Sequence, residues 1–177
     1  GKPLYRWTLL SEDGRTATCS NGSVTLTEGG MEPGRKTDRL FLISGMDVPA
    51  HTTPQLLAWL RRERAAGTPL GGICSAAYVL AKAGFLDNME TALHWAWHDL
   101  FTEEFPDVRL VRSVFVAREK VITASGGTAA ADLMLHLIGR AHGTDLATEV
   151  ADQMVYNAVR EGTAAQRVSL QSRHGMR

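Results

Sequence analysis

Apolar residues arrive along this chain in short blocks of two different periods. Residues 4–10 (LYRWTLL) form an apolar and aromatic run that stops at Glu12-Asp13-Gly14, a turn signal, so they predict a strand. Val24-Thr25-Leu26 predicts a second, more exposed one. Past the glycine-rich, charged stretch 28–38 comes RLFLIS, residues 39–44, a continuous apolar run closed by Gly45. Such a run fits a strand buried on both faces of a parallel sheet. The period then changes. Thr53 and Pro54 open a helix over about residues 54–66, with Leu56, Leu57 and Leu60 on one face and Gly67 at its end. Residues 69–74 read as a strand again, followed by a helix with Ala77, Leu80 and Ala81 on one stripe.

Strand, helix, strand, helix is the order of an open α/β sheet. Val114-Phe115-Val116 and Val121-Ile122-Thr123, separated by residues 117–120, predict a hairpin or two edge segments. Residues 128–140 carry Leu133, Met134, Leu137 and Ile138 at helical spacing, the most hydrophobic helix of the chain. A last amphipathic helix, about residues 145–160, uses Leu146, Val150, Met154 and Val155. After Glu161-Gly162 the composition turns polar. Residues 1–160 are therefore expected to form one domain and 161–177 the start of a linker.

Composition narrows the class. A chain of 177 residues, 44% hydrophobic and 21% charged, suits a single globular domain with a substantial core. Nineteen basic residues balance nineteen acidic ones, so the electrostatic footprint of a phosphate-gripping surface is missing. The two cysteines, Cys19 and Cys74, make neither a disulfide scaffold nor a zinc site, and a reducing, cytoplasmic setting is expected. No apolar run approaches the roughly 20 residues of a membrane span, and GKPLYRW has no signal-peptide pattern.

The candidate chemistry gathers at Cys74, in "GGICSAAYVL". Ligands of open α/β sheets bind at the carboxyl ends of the strands, and Cys74 falls where a strand passes into a helix. Gly71 and Gly72 before it, with Ser75, Ala76 and Ala77 after it, permit the crowded turn of a nucleophile elbow. A helix amino terminus there would favour the thiolate and lower the thiol's pKa. A small buried hydrophobe at a tight junction fits the same residues, and spacing leaves both readings open. His94 is a candidate base or a strand-end hydrogen-bonding residue. With His98 it has the i, i+4 spacing of a metal clamp, but no HExxH pattern and no third ligand accompany the pair. Trp95 and Trp97 offer rings to a cation or to the core. Gly126-Gly127, ahead of a helix, present backbone N–H groups to an anion or serve packing.

Three blocks, "GGICSAAYVLAKAGFLDN", "TALHWAWHDLFTEEFP" and "ITASGGTAAADLMLHLIGRAHGTDLATEVADQMV", together resemble one family. It is the class I glutamine amidotransferase-like (ThiJ/PfpI-type) domain at the amino end of AraC-type transcription regulators. The likeness extends to the subgroup that activates catabolism of arginine, carnitine and glycine betaine, and the tail AQRVSLQSRHGMR is similar to the linker of those regulators. The resemblance implies a flavodoxin-like three-layer α/β/α sandwich with a mainly parallel central sheet. It implies a homodimer that senses a small-molecule effector and reaches DNA only through a separate carboxyl-terminal helix-turn-helix domain. Gly45, Cys74, Ser75, His94, Trp95, Gly126 and Gly127 are the expected ligand-lining set, with no metal and no cofactor.

Family members carry a first strand and helix ahead of the YRW strand, and nothing in this chain corresponds to them. In enzymatic relatives that segment supplies a glutamate beside the cysteine. Two functions compete: sensing without turnover, or cysteine-dependent hydrolysis with Cys74 as nucleophile and His94 as base. A glutaminase would need a His-x-Glu pair, and none of the six histidines is followed two positions later by Glu. Only Asp99 and Asp132 are near enough by motif to orient His94, and each has an ordinary helix role, so sensing is expected.

Overall fold

The computed structural model describes residues 3–32 and 37–166. Its elements follow the alternation of periods. They run β1 (Thr16–Thr18), β2 (Val24–Leu26), β3 (Leu40–Ser44), α1 (Pro54–Ala65), β4 (Leu70–Cys74), α2 (Ala77–Lys82) and β5 (Glu90–Ala92). A single 3-10 turn (Trp95–Trp97) then leads into α3 (His98–Glu104), β6 (Arg109–Val111), β7 (Phe115–Ala117), β8 (Val121–Ala124), α4 (Ala129–His142) and α5 (Thr144–Gln153).

The central sheet has the order β3-β4-β8-β7, with β3, β4 and β8 parallel and β7 antiparallel at its edge. The predicted hairpin is therefore real, and one arm of it, β8, enters the middle of the sheet. β5 and β6 pair in parallel beside it, joined where Ala92 N–H donates to the buried Thr123 hydroxyl at 2.9 Å. Alternate strand residues face opposite layers. Leu40, Leu42 and Leu70 meet Trp59, Leu60, Leu80 and Phe101 on the side of α1, α2 and α3. Phe41, Ile122 and Ala124 meet Ala129, Leu133 and Leu137 of α4 on the other. That is a three-layer α/β/α sandwich. Helix α1 starts as its sequence requires, with Thr53 Oγ1 accepting from Leu56 N–H at 3.1 Å and Pro54 at the first turn.

Four expectations are corrected. Residues 4–10 form no strand: Leu10 makes a single bridge to Gly29, while Leu4, Tyr5 and Trp7 stand exposed. A strand needs a neighbour for its backbone groups, and among the described residues only this bridge, flanked by Glu28 N–H donating to the Leu9 carbonyl at 2.8 Å, pairs with the run. The RLFLIS strand packs on both faces only as far as Leu42, and Ile43 is 74% exposed, because β3 is an edge of the described sheet. The last helix ends at Gln153 instead of residue 160; Val155 is left-handed (φ 53°) and exposed, and the chain beyond it is held by tertiary hydrogen bonds. Residues 161–166 are not free of the domain. Ala164 accepts from Val114 N–H and Gln166 N–H donates to Arg112, so the ordered contacts run past Gly162, and 167–177 lie outside the described residues.

Candidate functional site

The carboxyl ends of three parallel strands meet at one place. Ser44 is in register with Cys74, and Ile73 with Ala124, so Gly45, Cys74 and Gly126 all lie at the ends of adjacent strands. Cys74 adopts a left-handed backbone (φ 64°), which a residue with a side chain holds only when its surroundings enforce it. Those surroundings are close. The Ser75 hydroxyl is buried and donates to the Gly45 carbonyl at 2.6 Å. Gly126, itself at φ +86°, lies so near that a Cβ there would sit 2.6 Å from Cys74 Cβ and 2.8 Å from its sulfur. His94 N–H donates to the Cys74 carbonyl at 3.4 Å, bringing the block after β5 to the same point.

The geometry is that of an elbow, but the electrostatics differ from expectation. Burial pushes the Cys74 thiol above its ordinary value, and the Ser75 N–H directed at the sulfur only partly offsets this. The expected thiolate-favouring helix terminus fails because α2 begins three residues later and is one and a half turns long. Burial, assisted by His98, pushes the His94 imidazole below its ordinary value, so it is neutral near pH 7. His94 Nδ1 accepts from Ala96 N–H at 3.3 Å, capping the 3-10 turn. A neutral imidazole that accepts at Nδ1 carries its proton on Nε2. Such a ring has its donor at Nε2 and no free lone pair there for a thiol proton.

The remaining candidates are placed as follows. Trp95 is 36% exposed, with its ring 5.6 Å from that of His94, while Trp97 packs against the core. His94 precedes the 3-10 turn and His98 begins α3, where its Nε2 engages the Leu93 carbonyl, so the two do not share the helix face a metal clamp requires. Gly127 (φ +56°) faces open space. Asp99 is exposed on the first turn of α3. Among the described residues no carboxylate hydrogen-bonds to His94.

Asp132 is fully buried, and its first oxygen accepts from Tyr156 Oη and Arg160 N–H, both at 2.9 Å. Its second accepts from Arg160 Nε at 2.8 Å. Sequence reasoning missed this clamp. The available signal was Asp132 itself, a carboxylate adjoining the apolar stripe of α4, which burial would force to find a cation. Two surface grooves lie elsewhere, one of about 560 Å³ beside Glu12, Glu28 and Gln55 and one of about 400 Å³ beside Glu90, His136 and Glu161. Neither includes Cys74 or His94.

With this geometry in place, comparison with known proteins is direct: residues 5–140 match the DJ-1/PfpI family. The chain belongs to the DJ-1/PfpI family. Its relatives include the HTH-type transcriptional regulator CdhR of Pseudomonas aeruginosa, 40% identical over 173 residues, which cover 98% of this chain and 52% of that protein. The HTH-type transcriptional regulator GlxA of Rhizobium meliloti is 35% identical over 182 residues, covering 99% and 54%. The chain thus spans about half the length of the curated relatives it matches. An isonitrile hydratase of Pseudomonas putida is 30% identical over 110 residues, covering 61% of this chain and 46% of the enzyme. Among solved structures, an AraC family transcriptional regulator from Pseudomonas putida superposes with a TM-score of 0.70 at 23% identity, covering 85% of this chain and 82% of that one. A ThiJ/PfpI family protein from Pseudomonas syringae reaches 0.75 at 20% identity, covering 90% and 66%. The flavodoxin-like fold of the DJ-1/PfpI family is the fold described above.

Proposed function

We propose that this DJ-1/PfpI domain senses a small effector for an AraC-type transcription regulator and does not turn it over. The observation that carries the second half is His94: a neutral ring, occupied at Nδ1 by the Ala96 N–H, on a residue whose backbone bonds to Cys74, the thiol whose ionisation burial opposes. Nucleophilic cysteine catalysis needs a thiolate and an oriented base, and neither is supplied by these neighbours. The regulator half is supported by the names of the relatives at 35–40% identity. In this reading Gly45, Cys74, Ser75, His94, Trp95, Gly126 and Gly127 border the effector. Trp95 offers an exposed ring to a cation, and the Gly126-Gly127 backbone takes a carboxylate. The effector is a small quaternary or basic amine bearing a carboxylate. The intact protein works as a cytoplasmic homodimer and contacts DNA through a separate helix-turn-helix domain, in keeping with the neutral charge of this one.

The alternative is a cysteine-dependent hydrolase using Cys74 and His94, which the isonitrile hydratase relative keeps in view. Thermal-shift and calorimetric titration of the full-length protein with glycine betaine, carnitine and arginine separates the two. A true effector at a hundred times its dissociation constant stabilises the fold by about 2.7 kcal/mol. Trp95→Ala then weakens binding about tenfold, the size of a partly desolvated cation–π contact. No shift with any of the three removes this effector class. Turnover that vanishes in Cys74→Ala but persists in Trp95→Ala establishes the enzyme instead.

A further inference from the structure

The stretch after α5 crosses back over the domain as a strap, residues 156–166, and it hydrogen-bonds to residues that adjoin both walls of the Cys74 elbow. Its first anchor is the clamp. Tyr156 and Arg160 hold Asp132, and Arg160 Nη2 also donates to Thr128 Oγ1 at 2.7 Å. Thr128 directly follows the Gly126-Gly127 loop that presses on Cys74. The second anchor lies at the other wall. Gln166 Nε2 donates to the carbonyls of Leu93 and Ser113 at 2.9 and 3.0 Å, and Leu93 directly precedes His94. Between the anchors the strap pairs with the strand edge: Val114 N–H donates to Ala164, and Ser125 N–H donates to Val114. Gly162 permits the close approach, since a Cβ there would stand 2.7 Å from the Phe115 ring.

The strap is held by hydrogen bonds at its two anchors and along the Val114 edge, and both anchors adjoin residues bordering one site. We propose that docking of the 156–166 strap is energetically coupled to the Cys74 elbow, so that occupancy of the elbow shifts the strap between its docked and released states. The proposal rests on the sensing reading and supplies its output. The strap leads into residues 167–177, so its release changes how the rest of the chain is tethered.

The test needs no known effector. In the full-length protein, the rate of Cys74 alkylation by iodoacetamide is followed by mass spectrometry of the Cys74 peptide. Arg160→Ala and Gln166→Ala each loosen one anchor and are expected to raise that rate at least about fivefold, the lower range of allosteric couplings. Arg15→Ala, on the distant exposed turn, leaves it unchanged. Conversely, alkylating Cys74 is expected to alter hydrogen exchange at the amides of Val114, Arg160 and Gln166 by a comparable factor. Gln166→Ala removes only a side-chain amide at the end of the strap, so it keeps the test decisive if Arg160→Ala folds poorly. Rates within about twofold of the parent in folded variants, with exchange unchanged on alkylation, overturn the coupling whatever the calorimetry returns. Coupling that persists in a protein binding none of the three effectors upholds the strap and removes only that effector class.

Discussion

Cys74 and Asp132 are two partly or wholly buried ionisable groups on either side of the Gly126-Gly127 loop, which packs against Cys74 and leads into the helix of Asp132, and the fold treats them in opposite ways. Asp132 is sealed from solvent and saturated: Tyr156, the Arg160 backbone and the Arg160 guanidinium satisfy both of its oxygens. Cys74 is half-buried and left-handed, with one N–H directed at its sulfur and a glycine pressed against it. Saturation is how a buried charge becomes a structural fastener. Backbone strain of this kind clusters at functional sites. The difference fits a holding role for Asp132 and, under the sensing proposal, a responding one for Cys74.

That contrast breaks most visibly at Asp132. Removing Asp132 strips Tyr156 and Arg160 of their charged acceptor, although the Arg160 side chain stays 35% exposed, so Asp132→Ala is expected to lower stability by about 3 kcal/mol in urea denaturation. A loss below about 1 kcal/mol would make the clamp a surface ion pair and undo the comparison. Gly126→Ala comes next. It places a Cβ in a left-handed backbone and against Cys74, and an expected loss of about 2–3 kcal/mol combines the strain of both. Gly127→Ala is the internal control, left-handed too but with open space around it, and should lose only about 1 kcal/mol. Equal losses at the two glycines would mean that Cys74 yields easily, contrary to a site held under strain.

The sequence exposed the fold where local period was enough. Apolar runs and i, i+3, i+4 stripes place β3, α1, β4, α2 and α4 close to their observed bounds, and the small residues around Cys74 mark the strand-to-helix turn. It misled where the answer depends on a partner distant in the chain. Residues 4–10 have a strand's apolar content but, among the described residues, pair only at the Leu10–Gly29 bridge, and α5 stops at Gln153, after which Arg160 bonds a carboxylate twenty-eight positions earlier. The sign of the Cys74 shift was illegible for the same reason. Whether burial or a helix terminus dominates depends on α2 starting at Ala77, one turn too late to help the sulfur.

The smallest effect is also the one that probes the elbow's charge most directly. Burial lowers the pKa of His94 and of His98 below the ordinary 6.5. The unfolded chain then takes up protons first, so stability falls as pH drops below about 6.5 and levels off once the folded rings protonate as well. Cys74 is the mirror case. Its pKa lies above the ordinary 9.0, the unfolded thiol ionises first, and stability falls as pH rises past about 9. Tyr78, pushed up to about 12 by burial and by Glu104, adds its own loss only above 10. Urea midpoints measured from pH 5 to 10 should therefore show a plateau between 6.5 and 9. Cys74→Ser removes the decline between 9 and 10, and His94→Gln removes part of the acid limb while His98 keeps the rest. A midpoint that rises below pH 6.5 would mean that the folded protein prefers charged imidazoles. His94 would then stand at the elbow as a cation, favouring a thiolate partner, and the hydrolase reading would regain the chemistry that a neutral ring denies it.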